Sequence, residues 1–94
     1  MAYKNEELLA IWAKGKEVES YDARYFRKDI FGAWMIYGMY GNHTTRYGWD
    51  VKHNDGDDSI QNSEPMQWEN KQANENGEAK CVVTSKGADN IRVD

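Results

Sequence analysis

Apolar residues in this chain come in short runs separated by polar stretches, and their spacing changes along the sequence. In "NEELLAIWAKG", residues 5–15, the spacing predicts a helix. Asn5 is placed to cap it, Glu6 and Glu7 suit the positive end of its dipole, and Gly15 ends it. Leu8, Leu9 and Trp12 are expected to share its buried face. Residues 16–35 then read as a loop that packs Val18, Tyr21, Tyr25 and Phe26 onto that face. "FGAWMIYGMYG" fits either a bent strand or a short helix followed by a turn, because period alone does not decide short apolar runs. "YGWDVKH" alternates and predicts a strand, and "NDGDDS" has turn composition. "SIQNSEPM" predicts a second extended segment, in which Pro65 suits an edge or a strand end. "QWENKQANENG" predicts a short helix anchored by Trp68 and stopped at Gly77. "CVVTS" and "NIRV", separated by "KGAD", predict a terminal hairpin. The expected fold class is therefore α+β, with an N-terminal helix and a C-terminal β-hairpin.

Composition narrows this to one domain spanning residues 1–94, since 94 residues support a single modest core. Trp12, Trp34, Trp49 and Trp68 are expected to fill it, because large rings bury much area per residue. Cys81 is the only cysteine, which excludes an internal disulfide and a multi-cysteine zinc site and fits a reducing compartment. No apolar run approaches the roughly 20 residues of a membrane span, and no signal-peptide pattern is present. A cytoplasmic protein with no membrane contact is the expectation. Charge is uneven. Residues 1–48 hold seven Lys/Arg against six Asp/Glu, a net +1, whereas residues 49–94 hold five against ten, a net −5. Surfaces that grip phosphates are usually basic, so the second half disfavours direct nucleic-acid binding.

Three motifs, "RKDIFGAW", "YGW" and "PMQWEN", taken together with "WAKG" and "VKH", resemble small bacterial and phage HNH endonucleases. The resemblance covers roughly residues 8–76, and the C-terminal hairpin also looks like the family's tail. It implies a ββα-metal finger, here about residues 47–77, in which two strands and a helix hold a divalent cation and a histidine activates water against a DNA phosphate. His53 falls on the catalytic histidine. Asn62 falls on the central asparagine, which in the family fixes the finger loop and orients the histidine. The two metal-ligand positions fall on Lys52 and Lys71, and the connection between histidine and asparagine is shortened to "NDGDDSIQ".

Elementary electrostatics gives those lysines a meaning. Hard divalent cations take oxygen ligands, and an ammonium offers only donors. At about 4 Å and an effective dielectric of about 20, a dication repels one ammonium by roughly 8 kcal/mol. Without the cation, the main stabilisation of the charged phosphoryl transition state is lost. His53 and Asn62 then read as vestigial, Lys52 and Lys71 as former ligand positions, and no cofactor is expected. The two ammoniums would brace the old site against Asp50, Asp58 or Glu69, or would cradle a phosphate.

The remaining chemistry-bearing residues are fewer. His43 reads as a solvated turn residue. "NDGDD" lacks the spacing and the distal glutamate of a calcium loop. Asp55, Asp57, Asp58, Glu64 and Glu69 form a candidate acidic face. The leading expectation is a catalytically inactive HNH-like protein that binds a basic nucleic-acid-handling protein through that face. By analogy of size and charge, it would act as a phage-type inhibitor of a host nuclease or defence system, as anti-CRISPR proteins do. The alternatives are a metal-dependent HNH endonuclease using Asp50, Asp55 or Asp57 as displaced ligands, and a non-cleaving nucleic-acid binder using Lys52, Lys71 and Arg46.

Overall fold

The computed structural model describes residues 3–54, 59–75 and 80–93. Along the chain run helix α1 (Asn5–Trp12), strands β1 (Phe26–Lys28) and β2 (Trp34–Ile36), and β3 (Trp49–His53). Strand β4 (Ser63–Gln67), helix α2 (Trp68–Ala73), and strands β5 (Val83–Lys86) and β6 (Asp89–Arg92) complete it. The strands pair as three separate two-stranded antiparallel sheets, β1–β2, β3–β4 and β5–β6. The fold is thus α+β, with the expected N-terminal helix and C-terminal hairpin. Short 3-10 turns follow β2 and precede β4.

Helix α1 starts at Asn5, one residue beyond its cap: the Glu7 carboxylate accepts from the Lys4 backbone N–H at 2.9 Å. Its buried stripe is Leu8, Ile11 and Trp12, at the i, i+3, i+4 spacing of one helix face. Leu9 lies off that stripe, 46% exposed, and so is not part of the face the sequence suggested. Of the aromatic residues expected to cover the helix, Tyr25 borders a cleft with Leu9 and Trp12, whereas Tyr21 packs elsewhere. Tyr21, Tyr25 and Phe26 form an exposed cluster in which Tyr21 lies on Trp34 with ring centroids 4.6 Å apart. Residues 26–28, expected as loop, form a strand because β2 pairs with them from Phe26↔Ile36 to Lys28↔Trp34. "FGAWMIYGMYG" resolves as strand followed by a 3-10 turn.

The apolar core joins Ile11, Trp12, Met35, Trp49 and Val51. Trp12 sits 5.0 Å from Trp49 and edge-on to Tyr37 at 5.4 Å. Such aromatic pairs contribute about 0.5–1.5 kcal/mol each beyond area burial. The ring polar atoms are satisfied, Trp12 Nε1 donating to the Ala23 carbonyl and Trp49 Nε1 to that of Tyr37. Trp68 is the exception among the tryptophans, half-buried at the start of α2 with Nε1 on the Thr45 carbonyl.

Three two-stranded sheets leave most joints between elements to side chains. Asp29, 1% exposed, takes four N–H donors: those of Phe31 and Ala33 on Oδ1, and Gln67 N–H and Asn70 Nδ2 on Oδ2. Asn70 also donates to the Val83 carbonyl and accepts from the Val82 and Val83 N–H groups, joining α2 to β5. Gln67 caps α2 through Oε1, which accepts from the Glu69 and Asn70 N–H groups, while its amide nitrogen donates to the Arg46 carbonyl. Asn90 accepts from Trp34 N–H and donates to the Trp34 and Arg46 carbonyls, joining β6 to β2. Asp29, Gln67, Asn70 and Asn90 are thus each paired, as burial of a polar side chain requires. The motifs "RKDIFGAW" and "PMQWEN" are thus where Asp29, Gln67 and Asn70 meet.

Candidate functional site

Strands β3 and β4 pair in full register, Trp49↔Gln67 through His53↔Ser63, and α2 follows β4 without an intervening residue. Alternation along β3 places Trp49 and Val51 in the core, with His53 at the end of the same face. His53 is held at both ring nitrogens. Nδ1 lies 3.0 Å from Ser63 Oγ and Nε2 lies 2.9 Å from the Tyr3 hydroxyl. The Ser63 hydroxyl donates its proton to the Ser59 carbonyl at 2.7 Å, so it accepts from His53 Nδ1–H. The network therefore places a proton on Nδ1, and Nε2 is engaged by the Tyr3 hydroxyl.

The residue that orients the imidazole is therefore Ser63, next to the asparagine that the family pattern singles out. Asn62 acts on the loop instead. Its carbonyl accepts from Asn54 N–H at 2.7 Å, closing the end of the hairpin, and its side-chain amide reaches Ser59 Oγ at 3.3 Å. The Lys14 ammonium reinforces this turn by donating to the carbonyls of Ile60 and Ser63.

Lys52 and Lys71 have their own partners. Lys52 Nζ donates to the carbonyl of His53 at 2.9 Å, and Lys71 pairs with Glu75 at 3.0 Å, one helical turn on. Neither braces against Asp50 or Glu69: Asp50 pairs with His43, and Glu69 with Arg92. Asp58 lies outside the described residues, as do Asp55 and Asp57. Glu64 accepts from Asn54 Nδ2 at 3.1 Å through Oε2. Arg46 directs a guanidinium nitrogen to the Asn90 carbonyl at 3.3 Å. Among the described residues, no three His, Cys, Asp or Glu side chains converge on a point where they could hold a metal ion.

His43 is exposed in a loop, as expected, and has partners there that the sequence did not suggest. Its ring stacks on Trp68, centroids 4.9 Å apart and planes within 9°, and its Nε2 lies 2.7 Å from Asp50 Oδ2. The Tyr40 phenol nearby is pushed above its ordinary pKa by burial and by the Asp50 charge. Asp50 is seven residues from His43 and Trp68 lies on another element, so no local pattern announces the trio. The mixed apolar and polar segment before Trp49 was the available hint that the chain turns back here.

Among the described residues, no helix is long and apolar enough to cross a membrane. The HNH resemblance rests on the residues quoted for it, since comparison with known proteins finds no matching family model, no matching curated protein and no matching solved structure.

Proposed function

We propose that this chain is a non-catalytic binding protein built on an HNH-like ββα unit, with a basic nucleic-acid-handling protein as its partner. One observation carries the reading: the imidazole at the catalytic position is locked between two hydroxyls, Tyr3 and Ser63, while the flanking ligand positions are ammoniums. A general base needs a ring nitrogen facing its water, and the Tyr3 hydroxyl stands 2.9 Å from Nε2 of His53 instead. A cation needs oxygen donors, and Lys52 and Lys71 supply none.

The partner is inferred from charge. The surplus of acid lies in the half of the chain that carries the ββα unit. A concentrated negative surface steers a positive partner and repels nucleic acid. Asp55, Asp57 and Asp58 are the residues assigned to that contact, since Glu69 already pairs with Arg92. Inhibition of a host nuclease would follow if the face competes with DNA for the partner's basic channel.

Two measurements test this. Partner captured by the wild-type chain should be released by salt and lost when Asp57→Lys and Asp58→Lys are combined; undiminished capture by the double variant removes the acidic-face reading. Purified chain should leave plasmid DNA intact across magnesium, manganese and zinc titrations. Metal-dependent nicking that disappears in His53→Ala restores the nuclease.

A further inference from the structure

The β1–β2 hairpin packs on the core through Met35, and strand alternation puts Phe26, Lys28, Trp34 and Ile36 on its opposite face. There Phe26, Trp34 and Ile36, with Tyr21, Tyr47 and Ala88 from neighbouring segments, line a cleft of about 180 Å³. Among the described residues, no charged side chain lines it. Phe26 and Tyr21 are 36% and 43% exposed, and rings gathered around an apolar cleft mark an interaction site where a lone exposed ring would not. The volume falls short of the roughly 300–1,000 Å³ of sites for whole small molecules and suits a single large side chain. Neither edge of the hairpin offers free backbone beside the cleft. Lys16 and Lys28 exchange both N–H···O bonds on one side, and Ile36 N–H donates to the Tyr47 carbonyl on the other. Recognition here falls to side chains, not to strand addition.

The rim supplies the sign of the partner's charge. Lys16 and Lys28 stand directly opposite each other in their backbone bridge, an arrangement in which like charges repel. Neither ammonium makes an ion pair or a hydrogen bond with a described residue. Lys28 is half-buried, and its ammonium has only the Trp34 ring, 4.8 Å from the centroid. Two neighbouring ammoniums without an acceptor call for an anion. The same lysine argues against a cage for methylammonium groups, because such a ligand would meet like charge over the Trp34 ring. We propose that this cleft docks an acidic segment of a partner protein. One large apolar side chain fills the cleft, and an adjacent Asp or Glu lies on Lys16 and Lys28. A buried anchor beside a charged rim is the usual division between affinity and steering at an interface. The polarity is opposite to that of the acidic face assigned above, and the two readings stand or fall separately.

The test is NMR titration of the full chain with three blocked peptides: Glu-Asp-Phe-Asp-Glu, the same peptide with Ala at its centre, and Lys-Lys-Phe-Lys-Lys. The acidic Phe peptide should saturably shift the Trp34 indole N–H and the Tyr21 and Phe26 amides, and the other two should each bind about tenfold or more weakly. Lys16→Glu should weaken the acidic Phe peptide by a similar factor without lowering Tm, because a repelling cross-strand pair becomes an attracting one. Phe26→Ala should weaken it as much through loss of the cleft wall, and it keeps the test readable if Lys16→Glu fails to fold. No saturable shift at Trp34, equal binding of either control peptide, or full affinity in a folded variant would overturn the assignment. Occupation of the cleft by single-stranded oligothymidine in preference to the peptide, or by a second copy of the chain as protein concentration rises, would do the same.

Discussion

Replacing Asp29 by asparagine removes one charge, changes almost no volume, and should nevertheless unfold much of the population on mild heating. The carboxylate accepts two N–H groups on each oxygen. Asparagine keeps one accepting oxygen for Phe31 and Ala33, but turns an NH2 toward the Gln67 N–H and the Asn70 amide, so donors face donors. Each buried donor left without an acceptor costs about 1–3 kcal/mol. Removing a buried charge returns part of that, and a net loss of about 3 kcal/mol is expected. For a chain of 94 residues, 1 kcal/mol moves Tm by about 4–8 °C, so a drop of roughly 10–25 °C follows. Thermal unfolding followed by circular dichroism at pH 7 measures it. An asparagine variant that melts with the wild type would refute the claim that this carboxylate joins β1, β2, β4 and α2.

Asp29 also sets a pH dependence. Burial pushes its carboxyl above the usual range, and hydrogen bonds from Asn70, Ala33, Gln67 and Phe31 pull it only partly back. The native chain therefore keeps this proton where the unfolded chain has released it, and the stability contributed by Asp29 falls as pH rises from about 4 through the folded pKa. The urea-midpoint gap between wild type and Asp29→Asn should narrow over that range; a gap that widens would mean the donors dominate burial. Gly48→Ala should be severe, because its Cβ would sit 1.6 Å from the Asn42 carbonyl oxygen. A loss of about 4 kcal/mol or more is expected, read as failure to give soluble, cooperatively melting protein. The Cys81 thiol is held above its ordinary pKa by burial and the Asp29 charge. Its alkylation by iodoacetamide at pH 8 should run several-fold slower than that of a free cysteine, and an equal rate would contradict the burial argument.

Local periodicity and turn chemistry account for most of the elements. Alternation in "YGWDVKH", the turn residues before β6 and the polar-apolar spacing of α1 are signals contained within one segment. Strand β1 carried no such signal. Three residues are too few to alternate, and their extended form depends on β2 across a turn. Tyr21 packs away from the helix for a related reason. Aromatic content marks a residue as sticky, but it does not say which surface it meets, and for Tyr21 that surface is Trp34. At the candidate site, motif spacing located His53 and Asn62 but not the hydroxyls on either side of the imidazole. Tyr3 lies 50 residues away and Ser63 ten, and only the hairpin register and the path of the N-terminal segment bring them there. The Asp29–Asn70 bond spans 41 residues and follows no period, though both residues stood inside quoted motifs.

Strands β5 and β6 pair with each other and with no other described strand. Their attachment runs through Asn70 and Asn90, through Thr84 and Ser85 hydroxyls on the Phe31 and Gly32 carbonyls, and through Trp34 Nε1 on the Gly87 carbonyl. The tail therefore behaves chemically like a bound peptide that happens to be tethered. A chain severed ahead of Lys80 should recapture its own terminal fragment from solution, and that fragment offers a natural place to carry a split reporter or a label without disturbing the ββα unit.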